Sequence, residues 1–227
     1  MFHTLDPMYW LFAIPGLILS MLATMYVKSA FAKYSQVKSA RGMTGAQAAY
    51  EMLLRSGVTD VKIEPVKGFL SDHYDPTSRT LRLSPDVFHS SSLAAIGVAC
   101  HEAGHALQHA GSYAWLGLRT SLVPAASIGS NFAYILFFLG LFINSMMLVK
   151  IGIILFSLAV AFTIVTLPVE WNASARAKVA MVEHGIVTVA EREDASAVLN
   201  AAFLTYVAAA VSAILNLLYL ISRSRRR

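Results

Sequence analysis

Four long apolar blocks punctuate the chain: Met8–Val27, about Leu122–Ile143, about Leu148–Leu167 and about Val198–Ile221. Each is close to the ~20 residues a helix needs to cross the hydrocarbon of a bilayer. Pro15-Gly16 in the first block predicts a kink, tolerable where neighbouring helices satisfy the freed carbonyl. No basic residue precedes that block, and it exceeds the ~7–15 residues of a signal-peptide core, so it reads as a retained anchor. The small residues of "NAAFLTYVAAAVSA" in the last block are spaced for close helix packing.

Between the first two blocks the pattern changes. A basic collar (Lys28, Lys33, Lys38, Arg41) leads into "MTGAQAAYEMLLRSG", which puts Ala48, Ala49, Met52 and Leu53 on one helical face. Thr44 is placed to cap that helix and Gly57 to stop it. "VTDVKIEPVKG" and "TLRLS" alternate apolar and polar residues as strands do, and "SDHYDPTSR" between them has turn chemistry. The Ser90–Ser92 cluster then predicts the cap of a helix that ends near Gly111. A second polar stretch, about Pro168–Ser196, carries one more helix in "VEWNASARAKVAMVEHG", with Pro168 opening it or kinking the span before it.

Composition agrees with this layout. Only 14% of residues are charged, against roughly 25% in a soluble domain. The net charge of +5 is explained by juxtamembrane lysine and arginine, including the Arg223–Arg227 tail. Basic residues are not interleaved with aromatics as a nucleic-acid groove requires, so the bilayer is the expected partner and nucleic acid is not. The expected organisation is an anchor helix (1–27), a non-membrane α+β part (28–120), a two-helix membrane hairpin (121–167), a further non-membrane helix (168–196), and a last membrane helix with its basic tail (197–227).

The candidate chemistry lies in "ACHEAGHALQHAG". Residues four apart on a helix share a face, so His101 and His105 can direct ring nitrogens at one ion. Glu102 between them has the position of the general base in H-E-x-x-H metalloproteases. His109 continues the series, but a rise of 1.5 Å per residue puts it about 12 Å along the axis from His101. It is therefore expected in a supporting or surface role. The single cysteine, Cys100, excludes a disulfide within the chain and a cysteine-built zinc site.

Two histidines need a third protein ligand if one position is to stay open for water. Five acidic residues follow: Glu170, Glu183, Glu191, Glu193 and Asp194. Glu170 stands out, because a carboxylate at the end of a membrane span is costly without a cation or partner. The other account of it is an interfacial glutamate facing headgroups. Two spans separate it from the histidine helix, which returns both to one side of the membrane.

"SDHYDP", "LRLSPDVFHSSSLAAIGVACHEAGHALQHA", "LPVEWNASARA" and "LNAAFLTYVAAA" together resemble the bacterial membrane family of neutral zinc metallopeptidases (YugP-like). The likeness covers nearly the whole chain. It implies a mainly α protein, with four transmembrane helices and a small α+β zincin-like catalytic part carrying the histidine helix. It further implies one Zn(2+) ion per chain, His101, His105 and Glu170 as ligands, Glu102 as catalytic base, and a peptide or protein substrate that is itself membrane-associated in some cases. The layout is also similar to HtpX and Ste24-type gluzincin membrane proteases. Those relatives carry aspartate four residues after the ligand glutamate, where this chain has Ser174, and Asn172 stands where many YugP-like proteins have aspartate. Both positions are candidates for supporting a ligand histidine.

In this reading zinc acidifies a water and polarises a carbonyl, while Glu102 moves the proton to the leaving amine. Arg176, His184, His73 and Tyr206 are candidates for stabilising the oxyanion. "RTLRLS" could be an edge strand that pairs with substrate backbone, and Asp72, His73 and Asp75 could line the cleft or simply form a turn. Two other functions share some of these features. A non-catalytic zinc scaffold or sensor would need the ligands but not Glu102. A membrane di-iron oxidase would need several histidine boxes, and His3, His73, His89 and His184 are isolated. The expected location is the bacterial plasma membrane. Span-flanking charge favours neither orientation, and likeness to the HtpX arrangement favours a cytoplasmic site.

Overall fold

Four helices are long and apolar enough to cross a membrane: α1 (Pro7–Tyr34), α5 (Ala114–Phe142), α6 (Met146–Glu183) and α7 (Arg192–Arg225). The structure is a computed structural model that describes residues 7–68 and 71–225, so His3 and the last two arginines of the tail lie outside the described residues. Between α1 and α5 lie α2 (Gly45–Arg55), β1 (Lys62–Pro65), β2 (His73–Asp75), β3 (Thr80–Leu83), α3 (Pro85–Phe88) and α4 (Leu93–Ala110). The apolar surface of α1 is largely uncovered: Leu11 is 68% exposed and Leu22 58%. Water would penalise such a surface, whereas lipid is its proper solvent.

Local chemistry sets the ends of the shorter elements. Thr44 Oγ1 accepts from the Gln47 amide at 3.2 Å, and the Thr44 amide donates to Gln47 Oε1 at 2.9 Å. This reciprocal cap starts α2. Gly57, at φ +76°, takes the left-handed conformation that ends it. Ser92 caps α4 by accepting from the Ala95 amide at 3.2 Å, and Gly111 closes it.

Three expectations change. The stretch read as a turn contains β2, because only residues 76–79 are needed to reverse the chain. Asp75 Oδ1 accepts from the Thr77 amide at 2.9 Å, and Arg79 adopts φ 47°. The sheet order is β1-β3-β2, with β1 parallel and β2 antiparallel to β3. β3 is therefore central, paired on both sides with Leu81 and Leu83 buried, and has no free edge for a substrate. Pro168 does not divide the chain either. α6 forgoes one amide hydrogen and continues to Glu183.

The chain forms two compact units. One comprises Met1–Thr24, Gly117–Pro168 and Leu204–Arg227. Its core gathers Ala133, Phe137, Val149, Phe156, Tyr219 and Leu220. The other comprises Met25–Leu116 and Val169–Phe203. Here Met52 and Leu53 of α2, Ile96, Cys100 and Ala103 of α4, Ala177 and Met181 of α6, and Val198 and Leu199 of α7 share one core.

Within this second unit α4 lies unusually close to its neighbours. A Cβ added at Gly97 would stand 2.3 Å from the Ala195 carbonyl oxygen, and one at Gly104 would stand 2.5 Å from that of Ala173. Both obstacles are backbone and cannot swing aside. Gly104→Ala is expected to destabilise by about 1–3 kcal/mol through overpacking. Gly117→Ala, with nothing within 4 Å of its added Cβ, should be neutral or stabilising by up to ~1 kcal/mol. Thermal unfolding of the two variants in detergent compares them directly.

Candidate metal centre

The close approach of α4 to α6 brings three Lewis-basic side chains together. His101 Nε2 lies 3.2 Å from Glu170 Oε2, and His105 Nε2 lies 3.6 Å from the same oxygen. One ligand atom from each residue lies within 4.8 Å of the other two. Two ligands bound tetrahedrally at ~2.1 Å from one ion stand about 3.4 Å apart, so both short distances match edges of such a polyhedron. Glu170 is 2% exposed, in a setting where a carboxylate requires compensating positive charge or hydrogen bonds.

The far side of each ring is held as well. His101 Nδ1 meets Ser174 Oγ at 3.0 Å. His105 Nδ1 meets Gln108 Oε1 at 3.0 Å, while Gln108 Nε2 donates to the Val169 carbonyl at 2.8 Å and to Asn172 Oδ1 at 3.0 Å. Arg176 Nε donates to the same Asn172 oxygen at 2.8 Å, and its guanidinium lies over the Tyr113 ring.

Because Gln108 offers an acceptor, His105 Nδ1 carries the hydrogen and the neutral ring keeps its lone pair on Nε2. Nε2 is then the position for a proton shared with Glu170 or for a metal ion, either of which offsets the anionic oxygen beside it. Burial pushes His105 toward the neutral form, but hydrogen bonding and attraction from Glu170, aided by Glu102, outweigh it and raise its pKa above the ordinary value. The site draws positive charge. Two imidazoles and a carboxylate, with no thiolate, form a donor set suited to zinc.

Glu102 is half-buried, and its carboxylate makes no hydrogen bond among the described residues. Asp72 feels its charge, although burial is the main reason the Asp72 carboxyl is raised. Asp72 itself accepts from the Ser84 amide at 2.7 Å, and Asp75 is engaged with Thr77, Ser78 and Arg82. Both are engaged locally, and among the described residues the cluster of three His, Cys, Asp or Glu side chains placed to hold a metal is His101, His105 and Glu170.

The other sequence candidates divide. Ser174 touches His101 directly, while Asn172 and Arg176 reach His105 only through Gln108. His109 Nδ1 instead meets the Tyr74 hydroxyl at 2.9 Å. His73 Nδ1 bonds the Ser71 carbonyl at 2.8 Å on the surface, and His184 Nε2 meets Ser56 Oγ at 3.1 Å. Tyr206 falls in the first unit. Sequence reasoning missed Gln108, a fully buried amide. Its place three residues after His105, on the same helical face, was the available signal.

This geometry is one able to hold a metal ion between two helices, in a chain with four helices long and apolar enough to cross a membrane. The chain belongs to the family described as "Putative neutral zinc metallopeptidase", which it matches over residues 9–225. It is 49% identical over 205 residues to "Putative membrane protease YugP" of Bacillus subtilis (strain 168), covering 90% of this chain and 91% of that protein. No solved structure matches.

If the three groups hold the metal, Glu170→Ala should leave purified protein without stoichiometric zinc. Glu183→Ala, further along the same helix, should retain it. Elemental analysis of both after exhaustive dialysis provides the check.

Proposed function

We propose that the protein is a zinc-dependent membrane endopeptidase, with one ion per chain held by His101, His105 and Glu170 and with Glu102 as general base. The observation that carries this reading is the convergence of both histidine Nε2 atoms on one Glu170 oxygen, at 3.2 and 3.6 Å. Membership of a family described as neutral zinc metallopeptidases supports the reaction class. When bound, zinc would supply Lewis acidity, polarising the scissile carbonyl and acidifying water.

The chain's own groups do the rest. Glu102 lies one residue from His101, and with no hydrogen bond to break it is free to take a proton from the attacking water. It then returns that proton to the leaving amine, so one carboxylate acts as base and then as acid. Ser174 and Gln108 hold the two imidazoles by their Nδ1 sides and leave Nε2 for the ion. The substrate in this reading is a peptide or protein, including segments at or in the bilayer. The setting in this reading is the bacterial plasma membrane.

Replacing Glu102 separates an enzyme from a zinc scaffold or sensor. Glu102→Gln should bind zinc with near wild-type stoichiometry yet lose about 10²–10⁴-fold in cleavage of an unfolded protein in detergent. Undiminished cleavage by that variant would remove Glu102 from the mechanism. Absence of cleavage by wild-type protein with zinc bound would favour the scaffold.

A further inference from the structure

We propose that Gln108 is a positioning residue of the metal centre, which fixes His105 in the tautomer that presents a bare Nε2 toward Glu170. The proposal rests on the zinc-site reading above and adds a constraint which that reading does not contain. Gln108 is 0% exposed, and its amide makes three polar contacts: Val169 carbonyl at 2.8 Å, Asn172 Oδ1 at 3.0 Å and His105 Nδ1 at 3.0 Å.

The logic of donors and acceptors allows only one arrangement. A backbone carbonyl cannot donate, so the NH2 end of Gln108 must face Val169 and the oxygen end must face His105. That oxygen cannot donate either, so His105 Nδ1 must carry the hydrogen. The neutral ring then has its free lone pair at Nε2. His101 differs, because the Ser174 hydroxyl at its Nδ1 can either donate or accept and leaves the tautomer open.

Gln108 also ties the two metal-bearing elements together. Val169, whose carbonyl it holds, immediately precedes Glu170 on α6, while His105 and Gln108 are on α4. One amide thus sets the orientation of one ligand ring and the backbone height of another ligand. Few side chains could replace it. A glutamate would turn an anionic oxygen toward the Val169 carbonyl and Asn172 Oδ1, and a methionine would leave the carbonyl and the ring nitrogen without their partner. Asparagine is one methylene shorter.

The test uses the full chain in detergent and has two independent arms. In the first, nitrogen NMR of histidine-labelled, metal-free wild type is recorded at a pH where the ring is neutral, with the His105 signal assigned through His105→Asn. The expected result is the Nδ1–H tautomer; an Nε2–H ring overturns the proposal whatever any Gln108 variant does. In the second, zinc affinity is measured by competition with a chromophoric chelator. Gln108→Met, which removes the acceptor, should bind zinc about 10–100-fold more weakly than wild type. A merely structural residue would lower the unfolding temperature of metal-free protein and leave that affinity unchanged, so wild-type affinity in a folded variant overturns the proposal. Should wild type itself bind no zinc, the peptidase reading fails, and the tautomer measurement alone decides the role of Gln108.

Discussion

A carboxylate sealed from water between two imidazoles is the constraint around which this protein is arranged. Glu170 is 2% exposed, and an anion in that setting is tolerated only with compensating positive charge or strong hydrogen bonds. The fold provides two ring nitrogens within 3.6 Å of one of its oxygens. The surrounding structure holds these basic atoms close together, within reach of one another. It does this by fixing backbones first and side chains second.

The backbone contribution is helix proximity. At Gly104 and Gly97 the absence of a side chain lets α4 approach carbonyl oxygens of α6 and α7 to distances that a methyl group would obstruct. The side-chain contribution is asymmetric. Ser174 supports His101 with a group that adapts to either tautomer, and Gln108 supports His105 with one that does not. Asn172 and Arg176 then steady Gln108 from α6, so the support passes back and forth between the two ligand-bearing helices. Outer partners of this kind set how strongly a site holds its metal.

Much of this architecture was legible in the chain because it depends on short-range rules. Apolar block length gave the four long helices, Thr44 and Ser92 marked helix starts, and a spacing of four put His101 and His105 on one face. The parts that were not legible have identifiable causes. β2 hid behind Asp72, Asp75 and Pro76, residues whose turn preference outweighs a three-residue strand signal. The central place of β3 depends on a parallel pairing with β1, which local alternation does not encode. Pro168 suggested a boundary, yet a long helix tolerates the loss of one amide hydrogen when both flanks are strongly helical. Gln108 carries no charge and is not a metal ligand, so its importance emerges only when the carbonyl before Glu170 is brought against it.

Cys100 lies next to His101 in sequence but points into the alanine-rich core of α4 and is completely buried. Burial pushes its thiol far above the ordinary range, so it stays neutral and forms no thiolate to compete for a soft metal or to react with peroxide. The proposed ligands, two imidazoles and a carboxylate, include no thiolate. A zinc site of that kind would be insulated from the changes in redox state that disable a cysteine-ligated one.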